Sequence, residues 1–311
     1  MTLGQISLAI IAFFISLVGS SIYFLRQPAP TVARQTAAIV LALPDLTPRY
    51  LAGIILPAID VGSIQAESFI IGTESGVVLA EKNSAVRTPI ASLTKIMTGL
   101  VLADYGGNAV VQLNPEHKST PPKISNLPAG ETFSAGTAQI LLLVESDNDV
   151  AEAITAAVGP RIDQNRTPRD AFVAAMNQTA VQIGMTSSHF KNPTGLDEPG
   201  HFSTAQNLFQ LVQFVDRAYP HFWNETADPP KYIETLSGHR YAIESSSLLV
   251  SYPGIIGMKT GLTDAAGGAL ALRYRIADFP EDIIIILLRS PDRFRDGEGL
   301  INAVRRAFHQ T

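Results

Sequence analysis

The order of strand-like and helix-like segments is the feature that most constrains the fold of this chain. Segment 68–83, SFIIGTESGVVLAEKN, has the pattern of two strands around a Glu-Ser-Gly turn. A mainly helical block follows from residue 91, with apolar residues at helical spacing in 137–158, 168–184 and 203–219. Strand-like sequence then returns in KYIETLSGHRYAIE, GIIGMKTG, GGALALRYR and DIIIILLRS, before a closing amphipathic helix at 293–308. Because strands and helices do not alternate as β-α-β units, we predict an α+β fold, an antiparallel sheet with an inserted mainly helical block.

The composition excludes several classes of partner. With 311 residues, 46% of them hydrophobic, the chain can bury a sizeable core. A formal net charge of −5 without a run of Lys or Arg gives no basic surface for nucleic acid. The chain has no cysteine, and its 6 histidines are scattered without a spacing such as H-E-x-x-H. We therefore predict no nucleic-acid partner, no metal and no other cofactor.

The N-terminal residues predict a membrane anchor. Residues 6–25, ISLAIIAFFISLVGSSIYFL, are uncharged over about the length that spans a bilayer as a helix. A cleaved signal peptide is the alternative, but the short tail at 1–5, MTLGQ, has no basic residue and no A-x-A cleavage site follows directly. We predict an uncleaved transmembrane helix that contacts the lipid bilayer. Arg26 and Arg34 follow this helix, and by the positive-inside rule they would place the C-terminal bulk inside, so the charge pattern leaves the orientation open.

Residues 26–65 are predicted to form a tether. This segment contains five prolines and has no clean hydrophobic period. Its apolar pieces, 37–43 and 50–59, are too short to span a membrane, so we expect them to lie on the membrane or on the domain that follows. Residues 66–311 are predicted to form that globular domain.

Ser92 and Lys95 form an S-x-x-K pattern at the start of a predicted amphipathic helix. Residues three apart lie on one helix face, so the hydroxyl and the amine are expected to be neighbours. A serine is a poor nucleophile near neutral pH unless a base takes its proton, and lysine is such a base only when burial or a nearby cation lowers its pKa. The same pattern recurs at Ser188 and Lys191, and a helix cap beside a surface lysine also fits it.

Two further short motifs follow in the chain. ESDNDVAEAI places Ser146 and Asn148 just before or at the start of a helical run, and GIIGMKTGLTDAAGG places Lys259, Thr260 and Gly261 at the end of an apolar strand. Each motif alone is compatible with a purely structural role. In the order S-x-x-K, S-D-N and K-T-G they form the known active-site set of serine penicillin-recognising enzymes.

From about residue 66 onward, the chain resembles the low-molecular-mass penicillin-binding proteins, which form the serine D-alanyl-D-alanine carboxypeptidase family. Besides the three motifs, the resemblance rests on NSAVRTPIASLTKIMTGLV, LPAGETFSAGTAQILLLVESDNDVAEAI, HFKNPTGLDEPGHFSTAQNL and GMKTGLTDAAGGALAL. It implies a DD-peptidase/β-lactamase-like fold. It also places Ser188 and Lys191 in a region that is not catalytic in the family.

The resemblance implies a role for each motif residue. Ser92 would attack the substrate carbonyl, Lys95 would accept the hydroxyl proton, and Ser146 would relay it to the leaving group, with Asn148 holding the side of the cleft. Lys259 and Thr260 would bind the substrate carboxylate. Gly261 would let the substrate backbone approach the strand edge closely. The backbone N–H groups of Ser92 and Leu262 would form the oxyanion hole. An arginine late in the chain assists the carboxylate in relatives, and Arg295 is a candidate.

The resemblance also implies partners and leaves alternatives. Peptidoglycan stem peptides would be substrates, β-lactams would be covalent inhibitors, and the domain would face outward from the bacterial cytoplasmic membrane. A D,D-endopeptidase of the same fold is the main alternative. A β-lactamase is less favoured because no E-x-x-x-N loop stands out between Asn148 and Lys259. A peptidoglycan-binding module that has lost its chemistry would not be expected to retain all three motifs.

Overall fold

A five-stranded antiparallel sheet lies at the centre of the structure, a computed structural model that describes residues 57–119 and 127–309. The strands, in chain order, are β1 (Ser68–Thr73), β2 (Val78–Lys82), β3 (Val110–Gln112), β4 (Thr132–Ser134), β5 (Tyr232–Glu234), β6 (Arg240–Ala242), β7 (Ile255–Thr263), β8 (Gly267–Tyr274) and β9 (Ile283–Ser290). The main sheet has the order β2-β1-β9-β8-β7, whereas β3 with β4 and β5 with β6 form two small ribbons. The strand β7, which carries K-T-G, is therefore an outer strand of the main sheet.

Helices fill most of the chain between β2 and β5. The α-helices are α1 (Thr94–Tyr105), α2 (Ala135–Ile140), α3 (Asn148–Ile162), α4 (Pro168–Gln182), α5 (Ala205–Ala218), α6 (Asn224–Ala227) and α7 (Arg293–His309). Side chains cap several of them: Thr167 and Thr204 accept hydrogen bonds from the first turns of α4 and α5, and Pro168 occupies the first turn of α4. These caps explain why both helices begin close to their predicted starts.

Strand β9 joins the two halves of the hydrophobic core. Its sequence, IIIILLRS, is rich in β-branched residues and is paired on both sides, by β1 and β8. Ile284 and Ile286 face the core shared with the helical block, whereas Ile283 and Ile285 face a second core closed by α7. Alternate residues of one strand therefore bury opposite faces of the sheet.

The predicted α+β architecture is confirmed, with two differences in detail. The helical stretch predicted at 137–158 is interrupted: α2 continues as a π-helix over Leu141–Glu145, the chain turns at Ser146, and α3 begins at Asn148. The predicted strand segment KYIETLSGHRYAIE is a strand pair, but it forms the separate β5–β6 ribbon and not part of the main sheet.

The N-terminal part of the described structure lies against α7. Ile64 is buried in the second core, and the backbone N–H of Gln65 donates to Asp296 Oδ1 at 3.0 Å, so the end of the predicted tether contacts the catalytic domain. The predicted tail at 1–5, the anchor at 6–25 and the tether up to residue 56 lie outside the described residues and stay predictions. Among the described helices, none is both long enough and apolar enough to cross a membrane.

Candidate active site

Ser92 lies in a short 3-10 helix, Ala91–Leu93, that leads directly into α1. Lys95 is in the first turn of α1, and its Nζ lies 3.0 Å from Ser92 Oγ. The turn and helix are held in place by buried apolar side chains on both sides of the pair, including Leu93 and Ile96. The structure therefore brings the hydroxyl and the amine of the S-x-x-K motif into hydrogen-bond contact, as the spacing predicts.

Lys95 is completely buried, with 0% of its surface exposed. Its Nζ also lies 2.7 Å from Asn148 Oδ1 and 2.7 Å from the backbone carbonyl oxygen of Thr194. Burial lowers the pKa of Lys95 to about 7, and the carboxylates of Asp147 and Glu152 oppose that shift. The amine can therefore lose and regain a proton near neutral pH.

The three contacts of Lys95 fit a base that is ready to accept the proton of Ser92. A neutral amine has two N–H donors and one lone pair. If the two N–H groups donate to the oxygens of Asn148 and Thr194, the lone pair is left for the Ser92 hydroxyl. The ammonium form instead uses all three protons as donors, and it cannot activate the hydroxyl.

Ser146 is presented by an unusual backbone segment. It follows the π-helix and adopts left-handed angles, φ 64° and ψ 34°, which are rare for a residue other than glycine. The next residue, Asp147, caps α3 by accepting a hydrogen bond from the N–H of Val150. This turn places Ser146 and Asn148 on the same side as Lys95 and Lys259, and backbone strain of this kind is frequent at functional sites.

Lys259 lies on β7 and is also buried. Its Nζ donates to Ser146 Oγ at 2.7 Å and to the carbonyl oxygen of Thr260 at 2.8 Å. Burial lowers the pKa of Lys259 well below its usual value, and the charges of Lys95 and Arg293 lower it further. Burial is thus the main influence on the pKa of both lysines, and the charge of Lys95 is a smaller influence on the pKa of Lys259.

The remaining predicted residues lie on β7 beside the nucleophile. The Thr260 hydroxyl is 2.8 Å from the Ser246 hydroxyl, and the side chain of Leu262 is 61% exposed. A Cβ atom on Gly261 would lie 3.0 Å from the backbone nitrogen of Ser92. The structure thus gives a second reason for glycine here, the close fit of the strand against the turn that carries Ser92, and the close approach of substrate stays a prediction.

The loop at 192–200 contributes to the site through its backbone. The Thr194 carbonyl contacts Lys95, and the loop is organised by Asn192 Oδ1, which accepts from the N–H groups of Thr194 and Gly195 at 3.2 and 2.7 Å. Asp197 binds the far end of β7 through the Thr263 hydroxyl at 2.7 Å. Sequence reasoning missed this loop because a carbonyl oxygen has no residue-type signature.

The second S-x-x-K pattern is not assembled as a catalytic pair. The hydroxyl of Ser188 contacts Ser203 Oγ at 2.7 Å and Asn207 Oδ1 at 3.0 Å, and Lys191 is exposed. At the C-terminal end, Arg295 is exposed, whereas Arg293 is partly buried and its charge acts on Lys259. The role of Arg295 as the late arginine stays a prediction. Within the described residues, no group of three or more His, Asp or Glu side chains is arranged to hold a metal ion.

Comparison with known proteins agrees with this geometry. Residues 57–286 match the family described as D-alanyl-D-alanine carboxypeptidase. The chain is 33% identical over 196 residues to D-alanyl-D-alanine carboxypeptidase DacB2 of Mycobacterium tuberculosis, a match that covers 62% of this chain and 64% of the relative. It is 28% identical over 224 residues to the D-alanyl-D-alanine endopeptidase of Pseudomonas aeruginosa, covering 68% of this chain and 67% of the relative.

A solved structure shows the same fold. Penicillin-binding protein D2 from Listeria monocytogenes, in its cefotaxime-bound form, superposes with a TM-score of 0.64 at 27% sequence identity, covering 78% of this chain and 97% of that chain. The chain matches 50% to 65% of the length of its curated carboxypeptidase relatives. The family match covers more than half of the chain, and the three motifs meet in one site. The chain therefore belongs to the D-alanyl-D-alanine carboxypeptidase family of serine hydrolases.

Proposed function

We propose that this protein is a membrane-anchored serine D-alanyl-D-alanine carboxypeptidase that removes the terminal D-alanine from peptidoglycan pentapeptides through an acyl-enzyme on Ser92. One observation carries the proposal: a buried amine, Lys95, lies 3.0 Å from Ser92 Oγ with its pKa lowered to about 7. A hydroxyl beside a base that is neutral at working pH is the arrangement that nucleophilic acyl transfer requires.

Acylation begins at the hydroxyl of Ser92. Its oxygen attacks the carbonyl carbon of the D-Ala-D-Ala peptide bond while neutral Lys95 accepts the hydroxyl proton. The N–H groups of Ser92 and Leu262 would stabilise the oxyanion, since Gly261 fits closely against the Ser92 nitrogen. The nitrogen of the departing D-alanine must then gain a proton before the peptide bond breaks.

Ser146 is placed to deliver that proton. Its hydroxyl oxygen accepts a hydrogen bond from Lys259 at 2.7 Å, which leaves the hydroxyl proton free to pass to the leaving nitrogen. Ser146 takes in return the proton that Lys95 received from Ser92, so its hydroxyl is restored and Lys95 is neutral again. D-alanine then departs and the acyl group remains as an ester on Ser92. In the second half of the reaction, water attacks this ester while Lys95 accepts a proton from the water. Lys95 then gives that proton to the Ser92 oxygen as the ester bond breaks, which regenerates the Ser92 hydroxyl and releases the shortened peptide as its acid.

β-Lactams would enter the same site as covalent inhibitors. A β-lactam carries a strained amide and a carboxylate, and the chain shares its fold with a penicillin-binding protein described in a cefotaxime-bound form. Opening of the ring by Ser92 would leave an ester of the same kind as the substrate gives. The three-motif site supports this proposal, because the residues that would bind the peptide substrate and react with it would bind the amide and the carboxylate of the drug in the same way.

A D,D-endopeptidase is the second candidate, and one observation favours it. The Pseudomonas aeruginosa relative bears that name, and this chain covers 67% of its length. An endopeptidase cuts a cross-link, so the group beyond the cleaved bond is not a single D-alanine. Recognition of a free terminal carboxylate by Lys259 and Thr260 therefore separates the two activities.

Amidation of the substrate's C-terminus is expected to slow turnover by a carboxypeptidase. The amide removes the charge that the Lys259 and Thr260 groups would bind, at a cost on the order of 2 to 4 kcal/mol in the transition state. This corresponds to about a thirtyfold or greater fall in kcat/KM, measured as release of D-alanine or its amide. Lys259→Ala should cause a similar fall on the acid and add little on the amide, because both changes break one interaction. Equal kcat/KM values for the free-acid and the amidated peptide would instead favour the endopeptidase activity.

The proposed location is the outer face of a bacterial cytoplasmic membrane. The uncharged run at 6–25 supports an anchor, and peptidoglycan lies outside that membrane. Deleting residues 1–25 is expected to release the protein from the membrane fraction. Protease added to intact spheroplasts should digest the full-length protein, whereas protection from protease would mean that Arg26 and Arg34 hold the domain inside.

A further inference from the structure

Ala91, the residue before the nucleophile, has a strained backbone. Its φ angle is 48°, in the left-handed region that alanine rarely adopts. Such a conformation persists only where the surrounding structure holds it in place. The contacts made by Ala91 are therefore informative about how the turn that carries Ser92 is maintained.

The Ala91 carbonyl oxygen accepts a hydrogen bond from the backbone N–H of Thr94, and a chain of two side-chain hydrogen bonds also ends on it. Thr94 Oγ1 donates to this oxygen at 2.9 Å, and His201 Nε2 lies 2.8 Å from the same Thr94 hydroxyl. At its other nitrogen, His201 Nδ1 accepts from the backbone N–H of Lys191 at 3.2 Å. All three members are buried, with exposures of 1% for Ala91, 0% for Thr94 and 5% for His201.

The direction of this chain is fixed at both ends. His201 Nδ1 accepts a hydrogen bond, so the proton of the neutral ring is on Nε2. The single hydroxyl proton of Thr94 is donated to the Ala91 carbonyl oxygen. Thr94 Oγ1 must therefore accept a hydrogen bond from the N–H at His201 Nε2. Burial lowers the pKa of His201 to about 4, and the ring is therefore neutral above that pH.

The Ala91 carbonyl belongs to the same peptide group as the N–H of Ser92. A trans peptide is planar and its C=O and N–H point in opposite directions, so whatever holds the carbonyl oxygen also sets the direction of the N–H. A hydrogen bond to the carbonyl also polarises the peptide and strengthens its N–H as a donor. The backbone of Gly195 closes over the carbonyl, since a Cβ there would lie 1.9 Å from Ala91 O.

We propose that His201 and Thr94 are positioning residues that aim the Ser92 N–H at the oxyanion of the reaction. This inference rests on the proposed function, because it concerns the acylation of Ser92. Neither side chain contacts Ser92 Oγ or Lys95 Nζ in the described contacts, so their effect passes through the peptide group between Ala91 and Ser92. The substrate would contact the Ser92 N–H, whose direction these two residues set, and neither of their side chains.

The test compares variants of the full-length protein in their acylation by a fluorescent penicillin. Thr94→Val keeps the side-chain shape and removes the hydroxyl, and it is expected to lower the acylation rate at saturating drug by about tenfold to a hundredfold, part of the effect of losing one oxyanion donor. The drug concentration at half-saturation should change little. Thr94→Ser, which restores the hydroxyl, should recover most of the rate.

The pH profile separates positioning from damage to the base. In Thr94→Val the rate should fall at every pH while the midpoint of its rise stays that of the wild type, because Lys95 is untouched. Thr155→Val is the matched control: Thr155 is also buried and also donates its hydroxyl proton to a helix carbonyl, that of Ala151, at 2.9 Å. Its acylation rate should equal that of the wild type.

A second pair of variants keeps the test decisive if Thr94→Val fails to fold. His201→Gln offers an N–H donor and an acceptor and should retain most of the rate, whereas His201→Leu offers neither and should lose it. The inference is overturned if Thr94→Val or His201→Leu acylates within about twofold of wild type, if the midpoint shifts instead of the plateau, or if Thr155→Val loses as much. If the wild-type protein itself is not acylated, the proposed function fails and not merely this inference.

Discussion

Replacing Ser92 with alanine is expected to abolish covalent labelling by a fluorescent penicillin. The hydroxyl oxygen is the atom that forms the ester, and Lys95 has no other hydroxyl among its described contacts. Loss of a serine nucleophile lowers the rate of acyl transfer on the order of 10⁶-fold, which is far below detection on a gel. In the wild type, peptide mapping should place the drug on the tryptic peptide that contains Ser92.

Ser188→Ala is the matched control for this change. Ser188 begins the other S-x-x-K pattern, and its hydroxyl contacts Ser203 and Asn207, not a lysine. This variant should therefore label like the wild type. Labelling that survives Ser92→Ala, or that maps to Ser188, would contradict the assignment of the nucleophile.

Lys95→Arg is expected to be nearly inert, although it keeps a positive charge. A guanidinium stays protonated at any working pH, so it cannot accept the proton of Ser92. We expect the acylation rate to fall on the order of 10³-fold, within the range that a general base contributes. Lys191→Arg, a change of the same chemistry at an exposed lysine, should leave the rate unchanged.

The wild-type acylation rate should rise with pH and then level off. The folded pKa of Lys95 is lowered to about 7, so the ammonium dominates below that pH and the neutral base dominates above it. Below the midpoint the rate should fall about tenfold for each pH unit, as the fraction of neutral amine does. A rate that is flat between about pH 5 and pH 9 would contradict a titrating Lys95.

Much of this architecture could be predicted from patterns in the sequence. The β-branched run of β9 and the apolar stripe of α1 indicated buried elements correctly, and the spacing of Ser92 and Lys95 predicted their contact. These features are local, because they depend on residues a few positions apart in one element. The motif order also located Ser146 and Lys259, although nothing in their spacing of more than 100 residues shows that they touch.

The features that sequence could not supply depend on backbone conformation and on long-range packing. The left-handed angles of Ser146 and Ala91 occur at residue types that do not favour them, so no propensity predicts them. The acceptor that Thr194 offers to Lys95 is a carbonyl, which every residue has. The tight fit at Gly261, where a Cβ would lie 3.0 Å from the Ser92 nitrogen, appears only when β7 is placed against the turn of Ser92.

The central claim is that the purified protein removes one D-alanine from a peptidoglycan pentapeptide, and mass spectrometry of the peptide products tests it most directly. The full-length protein would be incubated with a muramyl pentapeptide and with a cross-linked dimer, beside the Ser92→Ala variant. We predict that the pentapeptide loses the mass of a single alanine residue, that the dimer is left intact, and that the variant changes neither. Cutting of the cross-link with the pentapeptide left intact would make the protein an endopeptidase, and no change in either substrate would contradict the proposed activity.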